Sequence, residues 1–401
     1  MRWLITLLLL VFFQWYSYQA LKTAISNRWI LYGYVFFTVI IVGNLLFYTL
    51  ILERNTTNEP RLMYAIGFFL SLLIFQLLVS VILLAEDVFR IPQALYSFLK
   101  RVPEQTQFIP SRRKIISQIA LGLASIPFAS LLYGMYRGKY NYKVLSYNLE
   151  FEDLPDAFDG FKITQISDIH SGSFDNQTKV QYGVDLVNQQ KSDLVLFTGD
   201  LVNNRADEIK PWIKIFNKIK AEFGVFSILG NHDYGDYMRW ESPAAKRKNM
   251  EDLYDAHNEM GWDLLLNESR FIEKDGDRLA IIGVENWGSG FKKAGDLNKA
   301  LNKVSENDFK ILLTHDPSHW EAQVIPHPFK IHLTLSGHTH GMQFGIEIPG
   351  VIKWSPAKWR YKQWAGLYGE NKQYLNVNRG FGYLAYPGRV GMWPEVSVIT
   401  L

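Results

Sequence analysis

The fold class this sequence predicts is an α/β domain preceded by an all-α bundle of about four transmembrane helices. Three observations predict it. Four long runs without a charged side chain occupy residues 3–21, 29–52, 62–85 and 115–136. Beyond about residue 145 the composition turns into that of an ordinary soluble domain. In that second part, short apolar strands alternate with stretches of helical spacing, a pattern of strands in one sheet with helices outside it.

Each apolar run is long enough to cross a hydrocarbon core of roughly 30 Å as a helix of about 20 residues. The first ends in bulky aromatics (Phe12, Phe13, Trp15, Tyr16, Tyr18) and lacks a small-x-small cleavage site. It therefore reads as a retained helix with an interfacial belt rather than a cleaved signal peptide. Buried core helices of a soluble protein are the plain alternative. Several uncharged runs in succession argue against it. The fourth run follows Ser111, Arg112, Arg113 and Lys114. This resembles a twin-arginine export signal placed internally; the basic cytoplasmic flank of a membrane helix reads equally well. Both readings put the arginines inside.

The charge count agrees. Segments 22–28 and 86–114 hold eight basic residues: Lys22, Arg28, Arg90, Lys100, Arg101, Arg112, Arg113 and Lys114. The opposite set holds six: Arg2, Arg54, Arg61, Arg137, Lys139 and Lys143. The positive-inside rule then places the N-terminus and the second domain outside the cytoplasm. The expected division is a transmembrane region at 1–140 and a catalytic domain at 145–401, held in a bacterial inner or cell membrane.

The net charge of +3 over 401 residues, with no basic stripe interleaved with aromatics, argues against a nucleic-acid partner. The absence of cysteine removes disulfides and thiolate metal ligands.

Within the second domain, runs 161–167, 194–198 and 225–229 read as strands, and 176–190 and 207–221 as helices between them. Later apolar runs at 279–284, 310–314, 331–335, 374–378 and 396–401 are less interrupted and predict a second sheet. Each strand of the first set ends at a chemical motif: Asp168-Ile169-His170, Gly199-Asp200 and Gly230-Asn231-His232-Asp233. Thr314-His315 and Gly337-His338-Thr339-His340 follow later strands. Sites in open α/β sheets form outside the carboxyl ends of strands, so these motifs can converge. The glycines before the ligands permit the sharp turns.

Five of the nine histidines fall in these motifs, and none precedes residue 170. The set supplies the mixed imidazole, carboxylate and amide ligation that suits two divalent ions of Mn, Fe, Zn or Co. Two such ions activate water and stabilise in-line displacement at a phosphate ester. Asp200 is the natural bridge. Asp168, His170 and His340 would complete one site; Asn231, His315 and His338 the other. His232 is the candidate general acid that protonates the leaving oxygen, or a cation that holds the phosphoryl group, with Asp233 expected to hold its ring. A lone Asp or His at a strand end is more often a cap than a ligand, but seven in a fixed order are not. His257, His319, His327 and His332 lack that support and read as structural.

Over residues 160–401 this motif set, in this order, resembles the calcineurin-like metallophosphoesterase superfamily. The resemblance implies the roles just given, a four-layer αββα fold and a dinuclear metal centre. A narrower similarity is to the membrane-attached branch with the bacterial YkuE-like and YaeI-like phosphoesterases. Residues 337–345 (GHTHGMQFG) are similar to that branch's GHTHGGQ, with Met342 in place of the second glycine. The stretch 378–401 follows the branch's ending as well. The branch includes enzymes acting on the pyrophosphate of UDP-2,3-diacylglucosamine; here the expectation of a lipid-linked or envelope substrate, with membrane lipids as partners, rests on the membrane tether and on the aromatic-basic segment 352–364. Four helices depart from a single-anchor pattern.

Residues 352–364 (IKWSPAKWRYKQW) combine tryptophans with basic residues. They read as a lip facing lipid headgroups or as a packed loop with solvated charges. Arg379 and Arg389 are open to two readings: contacts to a substrate phosphate, or structural ion pairing. Two rival functions stand beside the lipid-linked one. One is a tethered phosphodiesterase for soluble nucleotides. The other is a catalytically silent scaffold, whose signature would be a missing ligand; all seven are present.

Overall fold

A computed structural model describes residues 2–50, 60–100, 110–290, 293–348 and 350–401. It divides into two compact units, one made of Met1–Thr56 and Arg61–Met135, the other containing Tyr136–Leu401.

The first unit is helical: α1 (Arg2–Ala24), α2 (Arg28–Leu50), α3 (Pro60–Lys100) and α4 (Pro110–Tyr136). Among the described residues, three helical spans are long and apolar enough to cross a membrane: Arg28–Leu50, Pro60–Pro92 and Arg112–Tyr136. The last two residues of the expected second run, 51 and 52, lie outside the described residues. Small side chains (Ala20, Ala120, Ala124) meet Val79 and Leu83 in the bundle core, which lets helices approach closely where no hydrophobic effect drives them together.

The third helix outruns its apolar stretch. It continues past Glu86, Asp87 and Arg90 to Lys100, 41 residues in all. At about 1.5 Å per residue that is roughly 60 Å, twice a hydrocarbon core of about 30 Å. The acids do not end the helix because they are paired. Arg113 on α4 bonds Glu86 and reaches Asp87 at 2.9 Å, and the Tyr16 hydroxyl on α1 donates to Asp87 at 2.6 Å. One arginine of the Arg112–Arg113 pair thus ties the helices together.

The second unit opens with β1 (Lys143–Asn148) and β2 (Lys162–Ile166). Helix α5 (Gln177–Gln189) follows, capped by Asn176 accepting from the Lys179 N–H. Then come β3 (Leu194–Phe197), α6 (Ile213–Phe216), β4 (Val225–Ser227), α7 (Pro243–Glu259), β5 (Asp263–Leu264), β6 (Glu268–Lys274), β7 (Asp277–Gly283) and α8 (Leu297–Ala300). The chain finishes with β8 (Phe309–Leu313), β9 (Leu333–Ser336), β10 (Ile346–Ile348), β11 (Ile352–Trp354), β12 (Gly366–Glu370), β13 (Gln373–Val377) and β14 (Glu395–Thr400).

Two six-stranded sheets result, in the orders β1-β14-β2-β3-β4-β5 and β12-β13-β9-β8-β7-β6, with β10-β11 a separate ribbon. Strands β2 to β5 are parallel, as are β7, β8, β9 and β13. Alternation in β7 shows the layering. Leu279 and Ile281 join Ile163, Leu196 and Ile311 in one core. Ala280 and Ile282 face Leu297, Leu301 and Trp320 in another. The first core lies between the sheets; the second lies under helical segments outside. This is the αββα arrangement.

Two expectations are corrected. The run 396–401 belongs to the first sheet, where β14 lies between β1 and β2 and runs antiparallel to β2. Its Val396, Val398 and Ile399 are all buried, as a strand with neighbours on both sides requires. The expected helix 207–221 shrinks to a short turn at Ala206–Glu208 and the four-residue α6. Pro211 lacks an N–H and biases Lys210 away from the helical region.

Candidate metal centre

Five strand ends converge. Asp168 follows β2, Asp200 follows β3, Asn231 follows β4, His315 follows β8 and His338 follows β9. The first three come from one sheet and the last two from the other. The loops interlock through backbone: Asp168 N–H donates to Gly199 at 2.9 Å, His170 N–H to Asp200 at 3.1 Å and Gly337 N–H to His315 at 3.0 Å.

The backbone is strained there. Asp168 (φ 50°), His170 (47°), Asp200 (62°), His338 (72°) and His340 (50°) all sit in the left-handed region. Such residues cost roughly 1–3 kcal/mol each and persist only where the surroundings hold them. Gly199 shares the conformation, with φ 92°. Gly230 and Gly337 serve differently: a Cβ would collide with Asp200 at the first and with Ser167 and Asp168 at the second. Met342, which replaces a glycine of the related pattern, also has a left-handed φ, 49°.

The side chains form two groups. Asp168, His170 and His340 offer ligand atoms within 4.8 Å of one another, and Asp200, His315 and His338 do the same. Between the groups, Asp200 Oδ2 is 3.5 Å from His170 Nε2 and 3.1 Å from His315 Nε2. The Asn231 Oδ1 atom is buried with no hydrogen-bond partner, while its amide donates to the Tyr237 hydroxyl at 2.8 Å. A buried amide oxygen left unpaired costs free energy unless something accepts its lone pairs. It fits an ion.

Each ligand imidazole has its other nitrogen held, which fixes ring orientation. His170 Nδ1 faces Asn203 Oδ1 at 3.1 Å, His315 Nδ1 the Thr198 carbonyl at 2.8 Å, and His338 Nε2 the Tyr361 hydroxyl at 2.8 Å. His340 differs. Its Nδ1 faces Arg389 at 3.0 Å, and a guanidinium only donates. Nδ1 is therefore the acceptor, and Nε2, 3.3 Å from Asp168 Oδ1, is the nitrogen turned to the ligand group.

Electrostatics follow from dense burial. Burial disfavours charge on Asp200 and Asp168, yet His315 beside the first and His340 beside the second hold both carboxyls well below the usual range. Burial also opposes charge on His315, but Asp200 prevails and raises it to about 10. For His170 burial wins and pushes it well below the ordinary histidine value.

One expected contact is corrected. Asp233 does not hold the ring of His232. It is fully buried and accepts four backbone N–H groups: Asp200 at 2.9 Å and Gly230 at 2.8 Å on Oδ2, Leu201 at 2.8 Å and Val202 at 3.2 Å on Oδ1. Burial, followed by the charge of Asp200, pushes its carboxyl up to about 7. The ring of His232 is held instead by the Asn203 carbonyl, 2.8 Å from Nδ1. Asp233 therefore positions the loops of Asp200 and Asn231. Asp233→Ala would orphan four buried donors at about 1–3 kcal/mol each. A large drop in Tm of the detergent-solubilised protein is expected; an unchanged Tm would show that the loops stand without it.

Arg379 and Arg389 resolve to structural partners. Arg379 bonds Glu395 at 2.5 Å and both oxygens of Glu347 at 2.8 Å. Arg389 is buried and donates to the carbonyls of Arg379, Gly382 and Met392. The remaining histidines stay structural too. His319 lies buried between Thr314 and Gln323 and stacks on Trp287. Asn203, Tyr361 and Asp316 were not foreseen. Asp316 is buried with Oδ2 3.6 Å from His338 Nε2.

Residues 161–342 match the model of the calcineurin-like phosphoesterase family, and residues 1–139 match that of the probable calcineurin-like phosphoesterase transmembrane domain. The chain is a calcineurin-like phosphoesterase. The phosphoesterase is 29% identical over 272 residues to the uncharacterised metallophosphoesterase YkuE of Bacillus subtilis, covering 67% of this chain and 88% of that one. It is 27% identical over 279 residues to a transmembrane protein with metallophosphoesterase domain from Danio rerio, covering 67% of this chain and 60% of the other. An uncharacterised metallophosphoesterase of Helicobacter pylori (strain J99) is 27% identical over 304 residues, covering 74% of each chain. The phosphoesterase is thus a membrane-associated hydrolase of phosphoesters whose family uses two divalent metals, and its two His/Asp groups could hold them.

Proposed function

We propose that this phosphoesterase hydrolyses a phosphoester or pyrophosphate bond of a lipid-linked or envelope substrate, on the extracytoplasmic side of a bacterial inner membrane. The observation that carries the catalytic reading is the position of Asp200. Its Oδ2 reaches imidazoles of both groups, at 3.5 Å and 3.1 Å, as a bridging carboxylate must.

In this reading Asp168, His170 and His340 would hold one ion and Asn231, His315 and His338 the other, with Asp200 available to both. Bound there, two divalent ions would lower the pKa of water and neutralise charge developing on the phosphoryl group. His232 protonates the leaving oxygen. The Asn203 carbonyl accepts from its Nδ1, so its Nε2 is the nitrogen that gives up the proton. Asp233 keeps the loop of His232 in register through the four N–H bonds. The membrane helices and the Trp-rich segment 352–364 support a lipid-linked substrate.

The test is hydrolysis by the detergent-purified full chain, with Mn²⁺ and with chelator, on an aryl phosphodiester, a phosphomonoester and a UDP-linked acyl sugar. Metal-dependent turnover is expected; turnover of the acyl sugar alone would establish a lipid-precursor pyrophosphatase and overturn the extracytoplasmic placement. Turnover of the two generic esters alone would remove the lipid-linked assignment. No metal-dependent turnover of any of them would overturn the catalytic reading.

A further inference from the structure

The ribbon β10–β11 is built inside out. Its register pairs Ile346 with Trp354, Glu347 with Lys353 and Ile348 with Ile352. Side chains alternate between faces along a strand. One face therefore carries Glu347 and Lys353, the other Ile346, Ile348, Ile352 and Trp354. In a ribbon packed on a water-soluble domain the apolar face turns inward. Here it is the polar side chains that bond to the domain, although Glu347 and Lys353 stay exposed and Trp354 on the other face is half-buried. Glu347 is clamped by Arg379 at 2.8 Å, and Lys353 donates to the Ala365 carbonyl at 2.6 Å. The apolar face is left outward: Ile346 is 50% exposed, Ile348 51%, Ile352 43% and Val351, at the turn, 78%.

The patch extends beyond the ribbon. Trp359 is 75% exposed and its ring meets Trp354 edge-on at 5.9 Å. Lys358 and Arg360 flank it and are exposed. An exposed apolar patch with a polar rim marks a contact surface. Tryptophan beside basic residues suits the boundary between headgroups and acyl chains, where basic side chains meet anionic lipid.

The ribbon is also bolted to the metal centre. The Ser355 hydroxyl donates to the Gly341 carbonyl at 2.6 Å, next to His340, and Tyr361 bonds His338 at 2.8 Å.

We propose that the β10–β11 ribbon and Trp359 form a docking lip that inserts its apolar face into the lipid bilayer carrying this chain's own helices, and so holds the metal centre at the level of headgroup phosphates. The occupant is the bilayer surface. A chain with membrane-crossing helices keeps its catalytic domain at such a surface permanently, and the basic rim complements anionic lipid. The delivery of substrate by this lip rests on the proposed function.

The chain has no cysteine, so Val351→Cys gives the full-length protein a single site for an environment-sensitive fluorophore. A control label goes at Glu251→Cys on α7. Both are reconstituted in nanodiscs of phosphatidylcholine and phosphatidylglycerol, with and without brominated acyl chains. The label at 351 should emit at shorter wavelength and be quenched at least twofold more than the control. Equal, water-like behaviour of the two labels would overturn the proposal.

The double variant Ile348→Glu, Val351→Glu supplies the second readout. Turnover of a bilayer-borne phosphoester should fall at least tenfold, with a soluble aryl phosphodiester unaffected. Equal loss on both, or loss on neither, would overturn the lip. A quenched label at 351, together with a wild-type enzyme inert toward every ester, would sink the proposed function and leave the docking standing.

Discussion

Replacing Asp200 by asparagine is expected to empty both ion positions together and to take turnover below about one per cent of wild type. One oxygen carries the effect. Asp200 Oδ2 stands 3.1 Å from His315 and 3.5 Å from His170, members of different ligand groups. An asparagine keeps the size and one acceptor but not the charge, and its amide nitrogen has no lone pair to give. Residues that merely orient ligands cost roughly 10–100-fold when removed; a ligand shared by two ions costs more. The other oxygen, Oδ1, accepts the His232 N–H at 2.8 Å, and the asparagine oxygen can keep that bond, so the loop survives. The measurement is metal content per chain by mass spectrometry beside kcat. Unchanged stoichiometry would remove Asp200 as the bridge.

Removing the ring of His232 should separate ion binding from chemistry. His232→Ala is expected to lower kcat by roughly 10²–10⁴-fold, the range for one general acid, with both ions retained. The ring belongs to neither ligand group. It lies edge-on to His170, centroids 5.0 Å apart, near enough to serve the same phosphoryl group. The loss should be smaller on an ester whose leaving group needs no proton, such as a nitrophenolate, than on an alkyl ester. Equal loss on both leaving groups would refute the acid role. Loss of ions from the variant would show His232 to be a ligand or its support.

The strand-end motifs were legible because chemistry there is local: each is a few residues that follow an apolar run. The spread of those runs along the chain also announced two sheets. What stayed hidden depends on partners far away in sequence. Strand β14 pairs antiparallel with β2, with Ser397 opposite Gln165, and no local pattern distinguishes that from joining the second sheet. Asp233 was misread because its partners are backbone N–H groups, which carry no residue signature. Asn203, Tyr361 and Asp316 lie outside any motif and meet the imidazoles only after folding. The segment 352–364 showed its tryptophans and lysines, but not that Lys353, and Glu347 opposite it, would bond back to the domain. Those bonds depend on Arg379 and Ala365.

The left-handed backbone at Asp168, His170, Asp200, His338 and His340 sets heat resistance and function against each other. Glycine would relieve the backbone at each of these turns, and each such change would delete a donor atom from the cleft. Selection or engineering for robustness alone would erode the site one residue at a time. A hardened version of this domain has to draw its extra stability from elsewhere, such as loops remote from the five turns.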